Sequence, residues 1–254
     1  MRAIVHKMSL CVLALTLSAG VAAAAEIKLI AVGGAKAALD KLIADYTKET
    51  GNQVSFTSSS PPMVAQRVAS EPFDVVVQSV PAMEDSAKGG AIKADTRAPV
   101  ARGGIGVAVR KVGPVPDIST ADGFKKAMTN AKTIAVTDPA MPNASGILTQ
   151  RILADAGIMD SIKDKVKVIG LDPGQQAISK GEADIGLFNI SEVRDYVTYV
   201  GPVPAPLQKY TNYEAAVTTK AAAPEAAAAF VKMLASAGSA DRWKQGGLEP
   251  QPAK

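Results

Sequence analysis

The chain has 254 residues, 47% of them hydrophobic and 20% charged, with a formal net charge of +4, one histidine and one cysteine. A chain of this length and apolar share can bury a sizeable core in one or two domains. One cysteine excludes an internal disulfide framework, and one histidine excludes a multi-histidine zinc site.

Residues 1–25 read as a cleavable secretory signal peptide. A basic start (Arg2, His6, Lys7) leads into an apolar run from Met8 to about Ala19, and small residues 21–25 precede Glu26. The run falls short of the roughly 20 residues a membrane-spanning helix needs, so an anchor is the weaker reading. Cys11 lies inside the run, not after it, which argues against a lipoprotein. Cleavage removes the histidine and the cysteine. It also removes Arg2 and Lys7, leaving 26 of the 28 basic residues against 24 acidic ones. A near-neutral chain with scattered basic residues has no nucleic-acid footprint. The expected mature protein is periplasmic and has no histidine base, Ser-His-Asp triad or cysteine nucleophile. It is expected not to be an enzyme and to need no cofactor or metal.

Residues 26–32 (EIKLIAV) have the alternation of a strand, which Gly33-Gly34 ends. Leu39, Leu42, Ile43 and Tyr46 lie on one face of a helix over 35–50, stopped by Gly51. Residues 53–56 form a second strand. Ser58-Ser59-Ser60 before Pro61-Pro62 is an N-cap signature, so a helix follows through 63–68. Residues 74–78 (DVVVQ) read as a short buried strand. The second half continues with strands at 104–110, 133–137, 166–169 and 185–188. Helices alternate with them at 121–131, 144–156, 175–180 and 191–199, and Pro224 opens an alanine-rich helix over 224–235. Strands alternating with helices predict an α/β fold with a mostly parallel sheet flanked by helices. A Gly-rich segment at 102–104 and a Pro-rich one at 202–210 read as crossings between two lobes. The expected division is 26–103 and 205–254 for one lobe and 104–204 for the other, with the ligand in the cleft between them.

Three strand-to-helix junctions carry unusual chemistry: Gly33-Gly34, residues 57–62, and residues 138–146 (DPAMPNASG). A helix N-terminus offers unpaired N–H groups and about half a positive charge, a ready anion site without a basic side chain. Gly33 and Gly34 let backbone approach closely. Ser58, Ser59 and Ser60 add hydroxyls, and Asn143, Ala144 and Ser145 face them from the other side. The plainer alternatives are helix caps and a tight turn. Arg102 either clamps a carboxylate bidentately or is an ordinary surface arginine. No GxxxxGK[ST] phosphate loop occurs.

The segments AVGGAKAALDKLIADYTKETGNQVSFTSSS, FDVVVQS, IAVTDPAMPNASGILTQRILADAG, GEADIGLF and PEAAAAFVKMLASAGSADRWKQGGLEP follow one another as in a known family. The chain resembles the type II extracellular solute-binding proteins of ABC importers, most of all their periplasmic molybdate-binding branch. That resemblance implies a monomer with the two-lobed periplasmic-binding-protein fold, and an ABC permease as partner. It implies a small anion, a molybdate-like oxyanion, held by neutral donors of both lobes. Serines at 58–60 and Ser145 match the family's donor positions, and Gln175 lies in a loop matching a backbone donor. Gly34 stands where the family usually has serine, and Asn189 where it often has tyrosine. Those departures suit a larger anion, such as a di- or tricarboxylic acid, for uptake or for a sensor. An enzyme would need a cleft carboxylate pair such as Asp138 with Asp172 or Glu192, residues more simply read as turns and caps.

Overall fold

The computed structural model describes residues 24–140 and 144–251. The signal-peptide reading falls almost wholly outside these residues, and Asn143 lies outside them. Among the described residues no helix is long and apolar enough to cross a membrane.

In chain order the elements are β1 (Glu26–Val32), α1 (Lys36–Thr50), β2 (Gln53–Ser59), α2 (Pro61–Ser70), β3 (Val75–Ser79), α3 (Val80–Lys88) and β4 (Ala98–Arg110). Next come α4 (Ala121–Asn130), β5 (Ile134–Val136), α5 (Ala144–Asp155), α6 (Met159–Ile162), β6 (Val166–Val168), α7 (Leu171–Lys180) and β7 (Ile185–Asn189). The chain ends with β8 (Val197–Pro202), β9 (Tyr210–Val217), α8 (Pro224–Leu234), α9 (Ala240–Gln245) and β10 (Glu249–Pro250). The strands run in the order β2-β1-β3-β9-β4-β7-β5-β6, with β8 and β10 also paired to β4. β1 is parallel to β2 and β3, and β5 is parallel to β6 and β7. β9 runs antiparallel to both β3 and β4.

Two cores sit on this sheet. The first gathers the apolar faces of β1, β3, α1 and α8 with Tyr213, Trp243 and Leu248. The second joins Ile105 and Val107 of β4 to Phe124, Met128, Ile152 and Leu187. A smaller cluster of Ala108, Ala135, Ile178 and Phe188 covers the opposite face, as the two-residue period of a strand requires. β4 belongs to both main cores. Val100 and Ala101 lie in the first, and Ile105 and Val107 in the second. Its first half pairs with β9 and its second with β7 and β8. The buried amide of Gln208 ties the returning segment to it. Nε2 donates to the carbonyls of Ile105 at 2.8 Å and Val203 at 3.3 Å, and Oε1 accepts from the Ile105 N–H at 2.9 Å.

The structure differs from the sequence expectation in several places. Residues 191–199 are not a helix: a 3-10 turn at Ile190–Glu192 leads into β8, which pairs with β4. Val197, Thr198, Tyr199 and Val200 are β-branched or aromatic, and an open edge of β4 gives them a partner. The second crossing gives way at Tyr210 to β9, an eight-residue strand at the centre of the sheet. α3 and α9 are helices that the sequence reading leaves unassigned.

The C-terminal return is held by one carboxylate. Asp74 is 1% exposed; its Oδ2 accepts from the Lys28 N–H at 2.7 Å, and its Oδ1 from Ala222 and Ala223 at 2.6 and 3.0 Å. It therefore joins β1 to the start of α8. An unpaired buried donor costs about 1–3 kcal/mol. Asp74→Ala strands three donors and is expected to lower unfolding stability by about 3 kcal/mol or more. Asp74→Asn, which keeps one acceptor oxygen, should lose less. Urea denaturation with unchanged slope checks both.

Candidate functional site

A cavity of about 620 Å³ opens at the carboxyl ends of β1, β2 and β3. β1 delivers Val32, Gly33 and Gly34 to it. β2 lies in parallel register with β1, Ala31 opposite Ser58 and Val32 opposite Ser59, so both serines finish beside the glycines. Ser60, Pro61 and Pro62 of the next junction and Ser79 and Ala82 of the β3–α3 junction extend the wall. β9 contributes Thr211 and Tyr213, two residues apart and so on one face. Ile147 of α5, Asn189 at the end of β7 and Glu192 close it from the other side. Among the described lining residues there is no lysine or arginine, and Glu192 is the single ionisable acid.

The hydroxyl groups are not spent on helix capping. Ser60 and Ser79 occupy the N-cap positions of α2 and α3, yet neither side chain bonds its own helix. Thr211 Oγ1 is buried in the wall with no hydrogen-bond partner among the described residues. The α2 end is a poorer source of N–H groups than expected. Pro61 and Pro62 carry none, and the Val64 N–H already bonds the Ser60 carbonyl at 2.9 Å. Little more than the amide of Met63 remains there, so the junction works mainly through its hydroxyls.

Tyr213 explains Gly34. A methyl group on Gly34 would stand 2.7 Å from the Tyr213 hydroxyl oxygen, so the phenol occupies the space a serine would need. At Gly33 the corresponding position lies 3.5 Å from Glu192 Oε1, an ordinary contact that places this carboxyl beside Gly33 without excluding a side chain. Glu192 Oε2 accepts from Asn189 Nδ2 at 2.6 Å. Its main-chain carbonyl accepts from Gln175 Nε2 at 3.1 Å, and Gln175 Oε1 accepts from the Arg194 N–H at 2.7 Å. Burial pushes the Glu192 carboxyl above its ordinary range and Asp172 adds to the shift, while the Asn189 bond and Arg194 oppose it. Burial, with the Glu192 charge behind it, also raises the Tyr213 phenol, which stays a neutral O–H donor.

The structure thus brings Gly33, Gly34, Ser58, Ser59, Ser60 and Asn189 into one wall. Arg102 lies elsewhere. Its guanidinium pairs with Glu249 at 2.5 Å and sits 4.0 Å over the Tyr210 ring, an ordinary strand-to-strand clasp. Gln175 is fully buried on α7 and acts on the Glu192 segment, not on the cavity. Ala144 begins α5 and Ser145 is buried in its first turn; among the described residues α5 reaches the wall through Ile147. Of the other carboxylates, Asp138 accepts from the Ala140 N–H in a turn and Asp172 pairs with Arg194 at 2.9 Å. Ser79, Thr211 and Tyr213 are lining residues the sequence reading omits. Ser79-Val80-Pro81 repeats the signature of Ser60-Pro61 and was legible. The two β9 residues were not, because their strand reads as a connection.

Two outcomes follow for stability. Gly34→Ser is expected to lower the melting temperature, and Tyr213→Phe in the same chain to restore part of the loss. A double-mutant cycle should give a coupling of about 0.5–3 kcal/mol. Glu192, with its folded pKa above its ordinary 4.5, contributes a stabilising protonated form that is complete below that value and lost as pH rises through the folded pKa. Glu192→Gln removes the cost of a buried carboxylate, so its melting temperature relative to wild type should be higher at pH 8 than at pH 4. For a domain of this size each kcal/mol moves the midpoint by about 2–4 °C.

A family model described as bacterial extracellular solute-binding protein matches residues 27–249. Aconitate isomerase from a Pseudomonas species is 31% identical over 235 residues, spanning 89% of this chain and 88% of that protein. The periplasmic molybdate-binding protein of Azotobacter vinelandii superposes with a TM-score of 0.70 at 19% identity, over 87% of this chain and 98% of its own. PEB3 of Campylobacter jejuni, with L-phospholactate bound, gives 0.69 at 17% identity, over 89% of this chain and 100% of its own. The fold is that of the two-lobed type II periplasmic binding proteins. The chain belongs to the bacterial extracellular solute-binding proteins.

Proposed function

We propose that the protein binds a small organic polycarboxylate between its lobes and delivers it to an ABC permease. The observation that carries this reading is the cavity wall: about 620 Å³ lined by glycines, serines, a threonine, an asparagine, a buried tyrosine, Glu192 and several apolar side chains, with no lysine or arginine among the described lining residues. That volume lies in the range of organic-ligand sites. Separate clusters of neutral donors suit a ligand whose negative charges are spread over several carboxylates. The wall also departs from the molybdate pattern at two positions, Gly34 and Asn189, and the Tyr213 hydroxyl keeps a serine out of the first. The name of the 31% identical relative supports an unsaturated tricarboxylate of the aconitate class. In this reading residues 26–103 with 205–254 and residues 104–204 are the two lobes. The chain is exported as a monomer to the periplasm, and Asn143 and Ser145 add donors on the side of the second lobe.

A second reading, in which the ligand is also isomerised, is favoured by that same name and by Glu192, the one carboxyl in an otherwise neutral wall.

A thermal-shift and calorimetric panel separates the ligand classes. Aconitate, tricarballylate and citrate are expected to stabilise the protein, by about 4 kcal/mol at a thousandfold excess over Kd. Molybdate, tungstate and sulfate are expected to leave it unchanged. A shift with molybdate alone would return the site to the oxyanion class, and no shift with any anion would refute both.

A further inference from the structure

We infer that Glu192 moves a proton along the carbon chain of the bound polycarboxylate, with the Tyr213 phenol steadying the charge that develops. This rests on the polycarboxylate reading above.

Glu192 is held at three points. Gln175 fixes its carbonyl and the amide two residues on, at 3.1 and 2.7 Å. Asn189 fixes Oε2 at 2.6 Å. Oε1 is left facing the cavity beside Gly33, and the Tyr213 hydroxyl lies beside the next residue, Gly34. A carboxyl built only to hold an anionic ligand would be out of place here, because it repels the ligand when ionised. A single base next to a neutral O–H donor is instead the arrangement that proton abstraction beside a carboxylate requires. The hydroxyls across the cavity would hold the non-reacting carboxylates.

The substrate class is a carboxylate whose methylene lies between a carboxylate and a carbon–carbon double bond. The Glu192 carboxylate takes one methylene proton. The electrons of that C–H bond form a new double bond to the central carbon, and the old π pair moves outward as an extended enolate into the far carboxylate. Tyr213 donates a hydrogen bond to that oxygen. Glu192 then returns its proton to the former vinyl carbon. One C–H bond breaks and one forms, the double bond shifts by one position, and nothing is oxidised or reduced. The titratable groups facing Glu192 are Tyr213 from β9, Asp172 from α7 and Arg194 just downstream. Asp172 and Arg194 already pair with each other, so the rising limb of a pH profile reports Glu192.

The test incubates the full-length protein with cis-aconitate in D2O and follows it by proton NMR, with calorimetry on tricarballylate, the saturated analogue, in parallel. Wild type should incorporate deuterium at the methylene and vinyl carbons and form the trans isomer. Glu192→Gln should slow this at least about 100-fold while tricarballylate affinity stays within about tenfold. Tyr213→Phe should slow it by about tenfold or more. Wild type that binds tricarballylate but neither forms trans-aconitate nor exchanges deuterium into cis-aconitate overturns the inference and leaves the binding reading intact. A Glu192→Gln variant exchanging at the wild-type rate also overturns it. Failure to bind either compound overturns both.

Discussion

One strand carries the architecture. β4 runs for 13 residues through two hydrophobic cores, so a single backbone is shared by both halves of the molecule. Every other feature of the cleft follows from where it changes partners. Before Ile105 it pairs with β9, and from Ile105 onward with β7. The parallel strands β1, β2 and β3 open their carboxyl ends on the cavity. The Gln208 amide then fastens the second crossing to the same point of β4, bonding Ile105 on both its N–H and its carbonyl. Separating the strands there would break a buried amide's bonds, at about 1–3 kcal/mol for each group left unpaired.

In the proposed anion reading, the cleft meets an electrostatic problem without a lysine or arginine among its described lining residues. Burying a charge without compensation is costly, and a lysine or arginine is the usual remedy. Here the compensation is spread over hydroxyls, amides and the neutral tyrosine. The one carboxylate in the wall has its own support, an amide on one oxygen and a buried glutamine bracing its segment. Close packing sets the residue types. Gly34 leaves room for the Tyr213 hydroxyl to reach the cavity, because a side chain there would collide with the phenol.

Much of this was legible in the sequence, where local pattern and tertiary environment agree. The face of Leu39, Leu42 and Tyr46 forms a helix because the same stripe packs on the first core. The parallel strands announce themselves as short apolar runs, and the proline-opened helices by their caps. The reading fails where long-range pairing decides. Residues 197–202 become a strand because β4 offers an edge, information absent from the segment itself. Residues 210–217 alternate as a strand, but the prolines before them suggest a connection and hide two of the residues lining the cavity. Arg102 shows the converse: an arginine beside glycines looks like a ligand clamp until its partner, Glu249, arrives from 147 positions away. Gln175 lies in a stretch that the resemblance matches to a ligand donor, whereas its amide braces the Glu192 segment.

In the proposed reading, a wall that receives anions through dipoles has a consequence for the surroundings in which it works. Attraction between solvated ions is damped over about 8–10 Å at physiological ionic strength, whereas hydrogen bonds made in contact inside a closed space are hardly damped. Extracellular solute-binding proteins meet whatever salt the medium supplies. Recognition that depends on hydroxyls and backbone geometry keeps its grip through dilution or salinity that would loosen a cationic trap. It also gives up long-range steering, so that encounters are slower and selection is made almost entirely by fit.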